Sequence, residues 1–280
     1  MWCKLSAFAD EVSNDFSKQV KFLDERKIPY LEIRNLDGQN VGDLSLDKAS
    51  EIQKRLADKG IAVWSIGSRL GKIGIKSDFA PHLDEFKRTL DIAAALKCDK
   101  MRMFSFYIPE GDNADVYRDT VMERLAAFAD AAKGSGVFLC HENEKGIYGD
   151  EVARCVDIAK SIEGIKLVFD PANFVQCGVD TLAAWNTLKS YVAYVHIKDA
   201  LPDGSVVPAG EGHGNIPAIL ADYKNMGGGV LTLEPHLTVF DGLAGLEREG
   251  EKTKMAYSFP DSETAFIAAH DALASIISKI

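Results

Sequence analysis

GVFLCHE (136–142), IKLVFD (165–170), YVAYVHI (191–197) and GGVLTLE (228–234) are four short apolar runs. Each carries an acidic or imidazole side chain at or near its C-terminal end: Glu142, Asp170, His196 and Glu234. Helical patterns flank every run, and that alternation is the signature of βα units. If the four strands run parallel in one barrel, their ends meet at one rim. Two Glu, one Asp and one His then form a hard, mostly oxygen-donor set suited to a divalent metal. Taken singly, a strand-end acid is ordinarily a helix cap, an ion-pair partner or a solvated group. Asp170 also precedes Pro171, a common turn arrangement. Recurrence on four consecutive strands makes one shared site the expectation.

The same alternation extends to both ends of the chain. WCKLSAF, IPYLEIR, IAVWSIG and KMRMFSF read as strands one to four, and the four runs above as strands five to eight. Helices are expected over residues 14–27, 46–59, 79–96, 114–133, 149–162, 180–189, 216–226 and 262–279. Eight strands alternating with helices predict an α/β fold, a (β/α)8 TIM barrel. A doubly wound parallel sheet is the rival architecture. The 280 residues contain no linker-like stretch, and single barrels reach about 250 residues or more, so residues 1–280 are expected to form one barrel domain. The charged stretch 245–254 reads as solvated surface, and the last helix as closing the outer layer.

With 46% hydrophobic residues the chain can bury a substantial core. Its formal charge of -10 argues against a broad attraction for nucleic acid. Cys3, Cys98, Cys140, Cys155 and Cys177 include no Cys-x-x-Cys pair and are odd in number, so a disulfide scaffold is not expected. The N-terminus shows no signal peptide pattern and no run has membrane-spanning length. The expected setting is the cytoplasm, with no membrane partner. Homo-oligomerisation is left open. No Gly-x-Gly-x-x-Gly follows an early strand, so a nicotinamide cofactor is not expected.

Three carboxylates at one rim repel, and a divalent cation removes that cost. One metal ion is therefore expected, with Mn²⁺ first and Mg²⁺, Co²⁺, Fe²⁺ or Zn²⁺ as alternatives. Such an ion beside two glutamates suits proton transfer next to a carbonyl. Glu142 and Glu234 are the candidate acid and base, on opposite faces of a planar enediolate. Period two places Lys198 on the face of His196, where it could stabilise the developing charge. Glu32 and Arg34 share a face of strand two and could fix sugar hydroxyls, or form salt bridges between strands. Trp64 is the first candidate for stacking on a sugar, ahead of Phe8, Phe106 and Tyr107, each of which could equally be core. His236 lies just past strand eight, against substrate or merely packed. His141 should face away from Glu142. His82 and His270 fall in helical patterns, and His213 in a Gly-rich loop. Arg69 and Lys72 are too few to imply a phosphate.

HENEKGIYGD (141–150), FDPANFVQCG (169–178), HIKDA (196–200), PAGEG (208–212) and LTLEPH (231–236) carry a resemblance across nearly the whole chain. The sequence resembles the sugar phosphate isomerase/epimerase family with a xylose isomerase-like TIM barrel. That resemblance implies a single divalent metal held by Glu142, Asp170, His196 and Glu234, with the two glutamates as the acid/base pair. It implies a metal-dependent carbohydrate isomerase or epimerase with a small-molecule carbohydrate substrate. Related ketose 3-epimerases commonly carry a His where this chain has Asn173, and often an Arg in the loop after strand seven, where this chain has Lys198 and then PAGEG. A lyase or dehydratase acting on a keto-sugar, keto-glycoside or keto-inositol therefore stays open. A non-catalytic sugar-binding barrel is a minor alternative.

Overall fold

The computed structural model describes residues 2–247, residue 250 and residues 252–280. Eight parallel strands close on themselves: β1 (Cys3–Ala7), β2 (Tyr30–Ile33), β3 (Ala62–Gly67), β4 (Lys100–Met103), β5 (Phe138–Glu142), β6 (Ile165–Phe169), β7 (Val192–Ile197) and β8 (Gly229–Leu233). Neighbours around the barrel follow chain order, and β8 closes on β1 with Ser6 beside Thr232 and Ala7 beside Leu233. The architecture is a (β/α)8 barrel, as the alternation predicts. The doubly wound alternative is excluded by the closure of β8 on β1.

Helices α1 (Phe16–Glu25), α2 (Leu46–Ala57), α3 (Ala80–Ala95), α4 (Arg118–Ala132), α5 (Val152–Ser161), α6 (Pro171–Gln176), α7 (Thr181–Leu188), α8 (Ile216–Asn225) and α9 (Ser262–Lys279) surround the barrel. Their apolar positions recur at helical spacing. Phe16, Val20 and Leu23 of α1 are buried, as are Phe266, Ala269, Leu273 and Ile276 of α9. Phe22 meets Phe266 edge-on at 5.4 Å, so α9 closes the outer layer against α1. Side-chain caps start several helices: Asp15 accepts from Ser17 N, Ser45 from Lys48 N and Asp261 from Thr264 N. Glu247, Lys252, Thr253 and Lys254 line the cleft at the barrel mouth. The rest of the expected charged surface stretch includes Arg248, Glu249 and Glu251, which lie outside the described residues.

Two differences from the sequence reading bear on the site. Strand four was expected to reach Phe106, yet β4 ends at Met103. Beyond it Phe104 N donates to Leu70 O and Phe106 N to Gly71 O, so the chain leaves the barrel to pair with the Gly-rich loop after β3. Gly71 makes that approach possible: its φ is +86°, and a Cβ there would sit 2.1 Å from Phe104 O. The second difference is α6, which begins directly after Asp170 where only a turn was expected. Pro171 fits the first helical position and Asp170 caps it.

Candidate metal centre

Glu142 ends β5, Asp170 follows β6, His196 lies in β7 and Glu234 follows β8. All four are buried, and one ligand atom from each lies within 4.8 Å of the others. His196 Nδ1 is 3.1 Å from Glu142 Oε1, 3.1 Å from Glu234 Oε2 and 4.0 Å from Asp170 Oδ2. Its other nitrogen, Nε2, is 3.2 Å from Glu32 Oε2. The imidazole thus turns Nδ1 toward the carboxylates and Nε2 toward Glu32.

Local structure divides the work of each carboxylate between its two oxygens. Asp170 Oδ1 accepts from Asn173 N at 3.0 Å as the cap of α6, which frees Oδ2 for the centre. Asn143 grips the Asp170 backbone, donating from Nδ2 to its carbonyl at 2.9 Å and accepting its N–H at 3.0 Å. Glu142 Oε2 accepts from Arg102 at 3.0 Å, and Glu234 Oε1 from Arg34 at 2.8 Å. The inward oxygens Asp170 Oδ2 and Glu234 Oε2 are buried without a hydrogen bond. Lys198 Nζ stands 2.9 Å and 3.5 Å from them, close enough to pair but outside hydrogen-bonding geometry.

The charge balance fits a divalent ion. Asp10, Glu11, Glu32, Glu142, Asp170 and Glu234 are six buried acids, against the buried cations Arg34, Arg102 and Lys198. Ionised throughout, the group would carry three excess negative charges. Protons relieve that excess in the absence of an ion: burial pushes Glu11 up to about 8 and Asp170 up to about 7. Burial opposes an imidazolium at His196, yet Glu142 and Glu32 hold its pKa well above the ordinary range. Burial would raise Glu142, but His196 and Arg102 draw it down to about 2. Glu234 is likewise held well below the carboxylate range by Lys198 and His196 against burial. Two buried inward oxygens without hydrogen bonds, beside an imidazole nitrogen facing the same point, are what a bound cation would satisfy.

Other expected residues fall in and out of the site. Arg34, Asn173, Lys198 and His236 line a cleft of about 250 Å³ above Glu234. Arg34 is committed beneath it, to Asp10 at 2.8 Å, Glu11 at 3.3 Å and Glu234 at 2.8 Å, the salt bridges between strands that were its alternative role. His236 adopts φ +49° as its N–H reaches Glu11 Oε2 at 2.8 Å. Asn173 Nδ2 lies 3.4 Å from Glu142 Oε1.

Two expectations are corrected. Glu32 does not face sugar hydroxyls. It is fully buried, and its carboxylate meets Tyr194 and His196, one layer beneath the cleft. Trp64 is not a stacking platform at the rim. Its ring packs on Tyr30 at 5.4 Å and Tyr194 at 5.8 Å, with the Lys100 ammonium 4.1 Å from its centre. Tyr194 precedes His196 by two residues on β7, so Trp64 belongs to a layer below the centre.

Among the weaker candidates, Tyr107 and Lys72 line the cleft. Phe8 packs edge-on to His196 at 5.4 Å. Phe106 is buried against Phe79 and Phe128, and Arg69 pairs with Glu85 and Asp43. His141 faces away from the centre, 2.9 Å from Ser105 Oγ.

Sequence reasoning passed over Asp10, Glu11, Arg102 and Asn143. Asp10 and Glu11 follow β1 in AFADE, the same strand-end acid signal used for the four ligand candidates. Arg102 was visible as a charge inside the apolar run KMRMF.

Residues 25–254 match the family described as Xylose isomerase-like TIM barrel. The chain belongs to that family. Across the xylose isomerase-like barrels, one curated relative is the uncharacterized protein YihM of Escherichia coli (strain K12), 27% identical over 183 residues. That match covers 61% of this chain and about half, 52%, of YihM. Two solved structures share the fold at low identity. The IOLI protein with a bound zinc atom is 18% identical, covers 99% of this chain and 98% of its own, and has a TM-score of 0.74. The probable 3-DHS dehydratase AsbF of Bacillus anthracis is 16% identical, with 97% and 98% covered and a TM-score of 0.75.

Proposed function

We propose that this chain is a divalent-metal-dependent carbohydrate isomerase or epimerase that moves a proton next to a carbonyl. The observation that carries this reading is the convergence of Glu142, Asp170, His196 and Glu234, with Asp170 Oδ2 and Glu234 Oε2 turned inward without hydrogen bonds. Mn²⁺ is the ion we favour, because three carboxylates and one imidazole make a hard donor set with nitrogen character. The zinc held by the structurally similar IOLI protein supports a divalent ion in this barrel. Held by Glu142, Asp170, His196 and Glu234, a divalent ion would supply Lewis-acid polarisation of a substrate carbonyl.

The protein's own groups handle the proton. Glu234 lines the cleft, and Arg34 holds its carboxylate through Oε1; it is the group we assign to remove a proton from substrate carbon. Glu142, held by Arg102 through Oε2, is the partner we assign to return the proton. Burial would lower the Lys198 pKa, but Asp170 and Glu234 hold it well above the ordinary lysine range. We assign Lys198, as an ammonium, to stabilise a developing oxyanion. Asn173 and His236 present polar groups to sugar hydroxyls from the cleft wall.

Elimination is the second reading. The fixed Lys198 ammonium beside Glu234 would also support loss of a group next to the activated carbon, and the likeness to AsbF, a probable dehydratase, favours keeping it. Solvent exchange in D₂O tests both. Metal-reloaded protein is incubated with free ketoses, ketose phosphates, 3-keto glycosides and keto-inositols, and the products are examined by NMR after the metal is stripped. Metal-dependent deuterium at one carbon is expected. An epimer or isomer supports the first reading, and an unsaturated product the second. Glu234→Gln should abolish exchange; exchange at the wild-type rate with full metal loading would remove Glu234 from this role.

A further inference from the structure

Below the centre, inside the barrel, a line of buried polar groups leads away from the cleft. Glu32 Oε2 is 3.2 Å from His196 Nε2, and Glu32 Oε1 accepts from the Tyr194 hydroxyl at 2.7 Å. That hydroxyl also lies 3.2 Å from Ser65 Oγ. All four residues are fully buried. Among the described residues, the Glu32 side chain makes no other hydrogen bond. Phe8 and Tyr194 pack ring edges against the imidazole at 5.4 Å and 5.5 Å and fix its plane. None of these groups except His196 reaches the ligand cluster, and Glu32, Tyr194 and Ser65 do not line the cleft.

We propose that Glu32 is a positioning residue that presents His196 Nδ1 to a divalent ion, with Tyr194 holding Glu32 in place. The inference rests on the metal reading above. A neutral imidazole carries one N–H, and its place decides which nitrogen has a free lone pair. A carboxylate can only accept, so Glu32 requires the proton on Nε2. Nδ1 is then left as a donor atom, and it is the nitrogen that faces Glu142, Asp170 and Glu234. Without Glu32 the other tautomer would be open, with an N–H pointing at the ion site. The negative charge of Glu32 also strengthens the imidazole as a donor. Tyr194 matters because a buried carboxylate with one oxygen unpaired would be free to swing away from His196. This arrangement gives β2 and β7 a part in ion binding although β2 supplies no ligand.

The test compares wild type, Glu32→Gln and Tyr194→Phe, each freed of metal. Zn²⁺ affinity is read by competition with a chromophoric chelator. The His196 ring is read in Zn²⁺-loaded, ¹⁵N-histidine-labelled protein by ¹H–¹⁵N NMR, and thermal melting of the ion-free proteins controls for folding. Wild type should bind one ion and show His196 with its proton on Nε2. Glu32→Gln should lose about 10–100-fold in affinity, with the Nε2–H signal shifted or broadened, and Tyr194→Phe should move both readouts the same way by less. Unchanged affinity and an unchanged Nε2–H signal in Glu32→Gln would overturn this inference and leave the metal reading standing. Lost affinity with an unchanged ring signal would also overturn it, as a general weakening of the barrel. If Glu32→Gln does not fold, Tyr194→Phe decides by the same criteria. Failure of wild type to bind an ion would instead overturn the metal reading beneath it.

Discussion

Two hydrogen bonds join Asn143 and Asp170: the Asn143 amide donates to the Asp170 carbonyl at 2.9 Å and accepts the Asp170 backbone N–H at 3.0 Å. The clamp joins the ends of β5 and β6 and sets the angle at which Asp170 enters α6. Asn143→Ala should remove both bonds and leave the buried Asp170 N–H without this partner, at a cost of about 1–3 kcal/mol. Denaturant unfolding checks the stability, and a metal titration should show weaker binding because Asp170 is no longer fixed. Wild-type values for both would show that the clamp is incidental.

The barrel and the four-residue cluster were legible because both rest on strict periodicities. Strand ends recur in the sequence, and Glu142, Asp170, His196 and Glu234 each sit at one. The layer beneath them was not legible. Glu32 lies in β2 and Arg34 just past its end, and one lies under His196 while the other joins Asp10, Glu11 and Glu234. A register shift between Leu31 and Glu32 where β2 meets β3 contributes to this, and no sequence pattern announces it. Trp64 was misread for a related reason: an aromatic near a strand end could belong to either of two layers, and the barrel interior claimed it. α6 was hidden because Asp-Pro opens turns and helices alike.

Glu85 links the Gly-rich loop to α3. The hydrogen bond to His82, together with Arg69, outweighs burial and draws its pKa from 4.5 down to about 2. A depressed carboxylate contributes stability that is complete above the unfolded pKa and disappears as pH falls through the folded one. Glu85→Gln should therefore be less stable than wild type at pH 7. The gap should narrow below about pH 4.5 and close near pH 2. Unfolding midpoints measured across that range check this; a constant gap would mean that shape, not charge, matters at this position.

Four cysteines are buried and Cys177 is half-buried. Burial pushes the Cys98, Cys140 and Cys177 thiols up to about 12, and Cys155 is raised as well. Thiolate is the reactive form, so the native protein should resist iodoacetamide at pH 8 and expose five reactive thiols on denaturation. Mass spectrometry reports the count. Rapid native labelling at Cys177 would contradict its assigned environment.

Isothermal titration of the metal-free protein with Mn²⁺ tests the central claim most directly, repeated at several pH values and in buffers of different ionisation heat. His196 is held protonated above its ordinary range and Asp170 titrates at about 7, so an ion must displace their protons. One ion per chain is predicted, with proton release and with affinity rising as pH increases from about 5.5 to 7.5; His196→Ala should lose most of the affinity. Absence of saturable binding, or an unchanged titration in His196→Ala, would contradict the metal centre and the chemistry built on it.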